Sequence, residues 1–188
     1  MPRVARSIPE EGVLHITARR NNKRMLFRKE KDLNYMRYLL DKYSKRYLCP
    51  IYHYVFMPTH IHLIVEFTGK GFLSKMMHGI CMKYAMYYNK KYGLIGHFWQ
   101  DRFKSFVIDT DEYLLACGIY IEKNPVKAGL VAKPENYKWS SYNFYAFGKK
   151  NEIIKSDPFY NSLAQDAEGR KTIYRKIMNA RLAETEAL

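Results

Sequence analysis

The sequence predicts an α+β fold, a single antiparallel sheet with helices packed on one face. Three observations point there. Segments of period-2 and period-3.6 apolar spacing follow one another in the order strand, helix, strand, strand, helix, strand. Two of the strands are separated by only Pro58 and Thr59, too short for anything but a hairpin. At 188 residues the chain is long enough to bury a core without disulfides, and its three cysteines, Cys49, Cys81 and Cys117, have neither zinc-finger nor disulfide-framework spacing.

Each element has a local reason. Residues 14–18, LHITA, alternate as a strand and run into the basic turn 19–24. Over 32–47, Leu33, Met36, Leu39, Leu40 and Tyr43 recur at helical spacing until Pro50 breaks the pattern. Residues 51–57 are β-branched and aromatic, and 60–67 continue in the same manner beyond the turn. Over 71–92, Phe72, Met76, Ile80, Tyr84 and Tyr87/Tyr88 return to helical spacing, ended by Gly93 and Gly96. A loop then enters a strand that finishes at Ile108. Thr110 is placed to N-cap the next helix, with Asp111 and Glu112 in its first turn. That helix is expected to stop near Asn124, because Pro125 disfavours a helical residue before it. The first six elements form the split βαβ order of a ferredoxin-like sheet. Residues 1–150 are read as one domain, and 151–188 as a C-terminal accessory segment with a charged helix from Asp166.

Composition narrows the partner more than the chemistry. Hydrophobic residues at 47% exclude a disordered chain, and no apolar run is long enough to predict a membrane span. The expected location is cytoplasmic, associated with the nucleoid. Thirty-two Lys and Arg against 18 Asp and Glu leave a net charge of +14, which favours a polyanion such as nucleic acid.

The stretch MPTHIHLIV (57–65) sets two imidazoles at the head of an otherwise apolar strand. Residues two apart on a strand share a face, so His60 and His62 point together while Ile61 and Leu63 point away. Such a pair can chelate one divalent cation, but it is equally compatible with two separate surface histidines. On the helix after Thr110, Tyr120 and Asn124 lie one turn apart on one stripe. With 17 tyrosines in the chain, spacing alone would single out neither.

MPTHIHLIV resembles the histidine–apolar–histidine (HUH) motif of single-tyrosine DNA transposases. YIEKNPVKAGLV (120–131) is similar to the tyrosine helix of that superfamily, and with WSSY (139–142) it most resembles the REP-associated tyrosine transposases. GHFWQDRF (96–103) looks like the family's intervening segment. The likeness runs from about Leu14 to Gly148. One departure is Arg20, where the family pattern has glycine after the first strand.

The resemblance implies that Tyr120 is the nucleophile. It would attack a phosphodiester of single-stranded DNA, leaving a 5′-phosphotyrosine and a free 3′-hydroxyl that allow later rejoining. His60, His62 and the side-chain oxygen of Asn124 would hold a divalent cation, Mg²⁺ or Mn²⁺, against the scissile phosphate. The implied substrate is DNA containing short imperfect hairpins, the implied assembly a monomer or homodimer. Arg19, Arg20, Lys23, Arg24, Arg102, Lys104, Lys123 and Lys127 are the candidate phosphate contacts. Phe98, Trp99 and Phe103 suit base stacking or core packing equally. The rival readings are a hairpin-binding regulator without chemistry and a metal-dependent hydrolase that uses water in place of Tyr120.

Overall fold

The computed structural model describes residues 9–186. Four strands, β1 (Gly12–Arg19), β2 (Ile51–Met57), β3 (His60–Phe67) and β4 (Lys104–Ile108), form one antiparallel sheet in the order β2-β3-β1-β4. This is the sheet order of the split βαβ unit that the sequence predicts. Strand bounds at the hairpin agree with the sequence reading, and Met57 pairs with His60 across the two-residue turn.

Helices α1 (Glu30–Arg46) and α2 (Lys70–Tyr92) pack on one face. Leu14, Ile16 and Ala18 of β1 and Ile61, Leu63 and Val65 of β3 alternate into that core. They meet Met36, Leu39 and Leu40 from α1 and Leu73, Met76, Ile80 and Tyr84 from α2. At Gly79 the Tyr43 ring lies directly on the α2 backbone, and a β-carbon would overlap it. Asp32, fully buried at the start of α1, receives Tyr92 Oη at 2.7 Å, Tyr87 Oη at 3.0 Å and Lys91 Nζ at 2.5 Å from the end of α2. Phe72, the first residue of the helical spacing, is 47% exposed; Leu73 takes the inward position at the helix entry.

A third long helix, α3 (Asp111–Lys127), takes the opposite face of the sheet. The Thr110 hydroxyl accepts from Tyr113 N at 3.2 Å, the predicted N-cap. Leu114, Cys117 and Ile121 pack on Val55, Met57, Ile64 and Ile108. A bulge between Ile51 and His53 lets both Tyr52 and His53 approach this helix. The helix does not stop at Asn124: Pro125 sits inside its last turn, and the end is closed by Ala128 N to Asn124 O and Leu130 N to Pro125 O. The disfavoured conformation before proline is overridden by this capped turn and by the burial of Pro125. Beyond it, α4 (Tyr142–Phe147), α5 (Pro158–Ser162) and α6 (Ala167–Glu186) cover the outer side of α3. Leu115 and Ile119 meet Tyr145, Tyr160, Tyr174 and Met178 there. Among the described residues no helix is long and apolar enough to cross a membrane.

Candidate active site

The sheet face under α3 is apolar at one end and polar at the other. Val13, Ile64 and Ile108 lie beneath the helix, while His15, Thr17, Arg19, His60 and His62 continue the same face beyond them. The pairing of β1 with β3 sets Thr17 opposite His62 and Arg19 opposite His60. Ile61 and Leu63 turn into the core, as the alternation requires.

The two imidazoles stand side by side, ring centroids 4.9 Å apart and nearly perpendicular. Each has its Nδ1 engaged by a neighbour. His60 Nδ1 is 2.9 Å from Thr59 Oγ1; His62 Nδ1 is 2.8 Å from His15 Nε2 and 3.1 Å from Thr17 Oγ1. In the tautomer with the proton on Nδ1, each ring donates to its neighbour and keeps the Nε2 lone pair open. Burial pushes the His62 pKa down to about 3, helped by His15, His60 and Arg19. Burial and Arg19 hold His60 near 4, and burial also lowers His15. All three are therefore neutral near pH 7.

Helix α3 delivers the tyrosine. Leu114, Gly118 and Ile121 face the sheet, and Tyr120, 46% exposed, stands near the polar end of that face. Its ring centroid is 6.5 Å from that of His62 and 6.4 Å from that of His15, both edge-on. Asn124, one turn further, is half-buried, and its side-chain nitrogen is buried without a hydrogen-bond partner. Among the described residues no group of three His, Cys, Asp or Glu side chains suits a metal ion. Asn124 is the candidate third ligand beside His60 and His62. The open Nε2 atoms and the unpartnered amide fit that role, since an amide turned over presents Oδ1 where the nitrogen now stands.

Chain topology also explains how α3 is held. His53, Glu122 and Asp157 are fully buried together: His53 Nδ1 lies 2.9 Å from Glu122 Oε1, and Nε2 lies 3.2 Å from Asp157 Oδ2. Tyr174 Oη of α6 donates to Glu122 Oε2 at 2.7 Å, and Ser141 Oγ donates to Oε1. Burial opposes a charge on His53, yet the two carboxylates outweigh it and raise its pKa to about 9. Glu122 stands midway between Tyr120 and Asn124, so this cluster fixes the helix that carries both.

The basic residues divide. Arg19 is exposed beside His60, and Lys23, Arg24, Lys104 and Lys127 are exposed as well. Lys123 is half-buried, and Arg102 lines a groove over α2 with Ser74, Met77 and His78. Arg20 is not a surface cation. It is 4% exposed, donates to Met25 O and Tyr88 Oη, and lies 4.4 Å and 4.8 Å from the Tyr88 and Phe98 ring centres. The direction of its side chain on the last residue before the turn puts it under the loop, so it braces the core and reaches no phosphate. Its backbone, φ −73° and ψ 145°, needs no glycine. Phe98 is buried, and Trp99 and Phe103 pack against the main core, which resolves those aromatics toward packing. His15 and Thr17, which support His62, lie on a strand that periodicity identifies; only strand pairing places them beside the motif.

Residues 10–124 match the family described as transposase, IS200-like. The chain belongs to the IS200-like transposase family. The matched span contains His60, His62, Tyr120 and Asn124 within a family of DNA-processing enzymes. Among solved structures, the IS200-like chain is similar to a REP-associated tyrosine transposase bound to a REP hairpin. The two are 22% identical, with a TM-score of 0.64 over 84% of this chain and 93% of that one. A putative transposase from Deinococcus radiodurans R1 is 12% identical with a TM-score of 0.44, covering 61% and 92% of the two chains. No curated protein matches the IS200-like chain.

Proposed function

We propose that this transposase is a metal-dependent single-stranded DNA endonuclease and strand-transferase acting on hairpin-containing DNA through a 5′-phosphotyrosine intermediate. The observation that carries the reading is Tyr120, solvent-accessible on α3 and edge-on to the neutral His62, whose ring stands beside that of His60. A hairpin substrate is suggested by the REP hairpin bound to the structural neighbour.

Tyr120 Oη attacks phosphorus at the scissile phosphate. The new O–P bond forms as the P–O3′ bond breaks; the tyrosine proton passes to solvent and the departing 3′-oxygen takes one up. His60 and His62 through Nε2 and Asn124 through Oδ1 would hold Mg²⁺ or Mn²⁺, which when bound supplies charge stabilisation at the phosphate. Arg19, across the strand pair from His60, neutralises a flanking phosphate. The buried His15 and half-buried Thr17 hold His62 in one orientation, so little rearrangement is needed when substrate arrives. Because the tyrosyl ester conserves the phosphodiester energy, a second 3′-hydroxyl can attack it, regenerate Tyr120 and join DNA without ATP.

The test is a labelled single-stranded hairpin incubated with Mn²⁺ or Mg²⁺. A covalent adduct is expected on denaturing gels, absent in Tyr120→Phe and absent after chelation. An adduct persisting in Tyr120→Phe would remove that residue as nucleophile, and cleavage unchanged in His60→Ala/His62→Ala would sink the metal site. Hairpin binding with no adduct under any metal would favour a regulator instead.

A further inference from the structure

Strand β4 extends the active face beyond the catalytic set. In the sheet, His62, Thr17 and Lys104 form one row across β3, β1 and β4, and His15 and Phe106 are paired in the next. Lys104 and Phe106 therefore share a face with the histidines. Helix α3 covers that face only as far as Ile108, which is buried against Leu114 and Ile121, whereas Phe106 is 56% exposed. Its ring centroid lies 6.3 Å from that of His15, which is itself hydrogen-bonded to His62. The segment leading into β4 uses its aromatics elsewhere: Phe98 is buried, and Trp99 and Phe103 are packed against the main core. Phe106 is thus an aromatic ring standing in solvent on a sheet edge, a place where folds ordinarily avoid one.

We infer that Phe106 and Lys104 form a subsite for an unpaired nucleobase and its phosphate, next to the phosphate cleaved at Tyr120. The assignment rests on the reading of this face as a single-stranded DNA site. Two strand spacings separate β4 from β3, about 10 Å, a short step along an extended single strand. An aromatic face takes any base, while the adjacent ammonium neutralises the backbone, the combination that suits single strands and not duplex. Arg19 on β1, opposite His60, and Lys104 on β4, opposite Thr17, give the single strand a cationic path from β3 toward the sheet edge.

Photo-crosslinking reads the subsite without any chemistry at Tyr120. Tyr120→Phe protein is irradiated with a short oligodeoxyuridylate carrying 5-iododeoxyuridine, and the labelled peptide is mapped by mass spectrometry. Label is expected on Phe106, with binding about ten-fold or more weaker in Phe106→Ala and restored in Phe106→Tyr. Phe106→Thr, which keeps strand propensity, should behave like the alanine variant. Lys104→Ala should lower the salt slope of binding by about 0.7. Label confined to other residues with unchanged binding in both Phe106→Ala and Phe106→Thr would overturn the inference. So would a dimer lost in Phe106→Ala with DNA affinity intact, since the ring would then serve a second copy of the chain. The adduct assay on the unmodified protein runs in parallel: no adduct there, with label still on Phe106, would refute the enzyme and leave the subsite standing.

Discussion

Arg19 and Arg20 are adjacent in sequence and opposite in environment. The first is exposed in line with His60; the second is enclosed by Tyr88 and Phe98. Their substitutions should therefore separate cleanly. Arg19→Ala is expected to reduce the dependence of log binding constant on log salt by about 0.7, with stability unchanged. Arg20→Ala should leave that slope alone and lower unfolding stability by about 3 kcal/mol, through a cavity and a lost desolvated cation–π contact. Salt titration of oligonucleotide binding and urea unfolding check the two. Supporting residues behave differently again. His15 is outside the proposed ligand set, but it fixes the His62 ring, so His15→Ala should weaken Mn²⁺ binding about 10- to 100-fold by direct titration. At this scale the sequence carried His60, His62 and Tyr120 through their motifs. It could not distinguish Arg19 from Arg20, because both are arginines at a strand end and only the packing of Tyr88 and Phe98 tells them apart.

Among the elements, α3 matters most, and it is attached through a buried ionic cluster. A histidine flanked by two buried carboxylates ties it to β2 and to the turn before α5. Folded His53 titrates near 9, against an ordinary 6.5. The folded form thus holds its proton more tightly, and this stabilisation is complete below about pH 6.5 and fades as pH rises through 9. Unfolding measured between pH 6 and 10 should show that decline, and His53→Gln should flatten it. Gly118 probes the same contact sterically. Alanine there would put a β-carbon 2.7 Å from the His53 ring. Gly118→Ala should destabilise by roughly 1–3 kcal/mol in thermal or urea unfolding, despite alanine's better helix propensity. Helix identity was legible from Thr110 and the apolar spacing. The helix runs past the expected stop near Asn124 because a local preference is outweighed by a capped, buried last turn. The clamp was invisible, since His53, Glu122 and Asp157 are far apart in the chain and meet only through the bulge in β2.

For the whole molecule, the sheet separates two tasks. One face, under α1 and α2, is sealed core; the other is sealed by α3 for half its length and then opens onto the histidines. The segment after 150 belongs to this arrangement, because Tyr160, Tyr174 and Met178 cover Leu115, Ile119 and Tyr145. A chain ending at residue 150 would expose those side chains and leave Glu122 and His53 without Asp157 and Tyr174. It should unfold at lower urea with a less cooperative transition, and lose adduct formation with it. The element order predicted the sheet correctly. Sequence spacing gave no means of seeing that the last helices complete the tyrosine helix, because their contacts with it are aromatic and long-range.

The hairpin turn at Pro58-Thr59 has an implication for how this protein can vary. Leu26 N donates to Pro58 O, Arg20 N donates to Thr59 O, and the pairing of Met57 with His60 starts directly beyond. Strand faces alternate with a period of two, so a single residue inserted there, if the slip passed into β3, would swing both imidazoles inward and bring Ile61 and Leu63 to the surface. Every proposed site residue would survive such an insertion, and their shared face would not. For the proposed reaction, loop length at this corner would matter as much as the identity of either histidine.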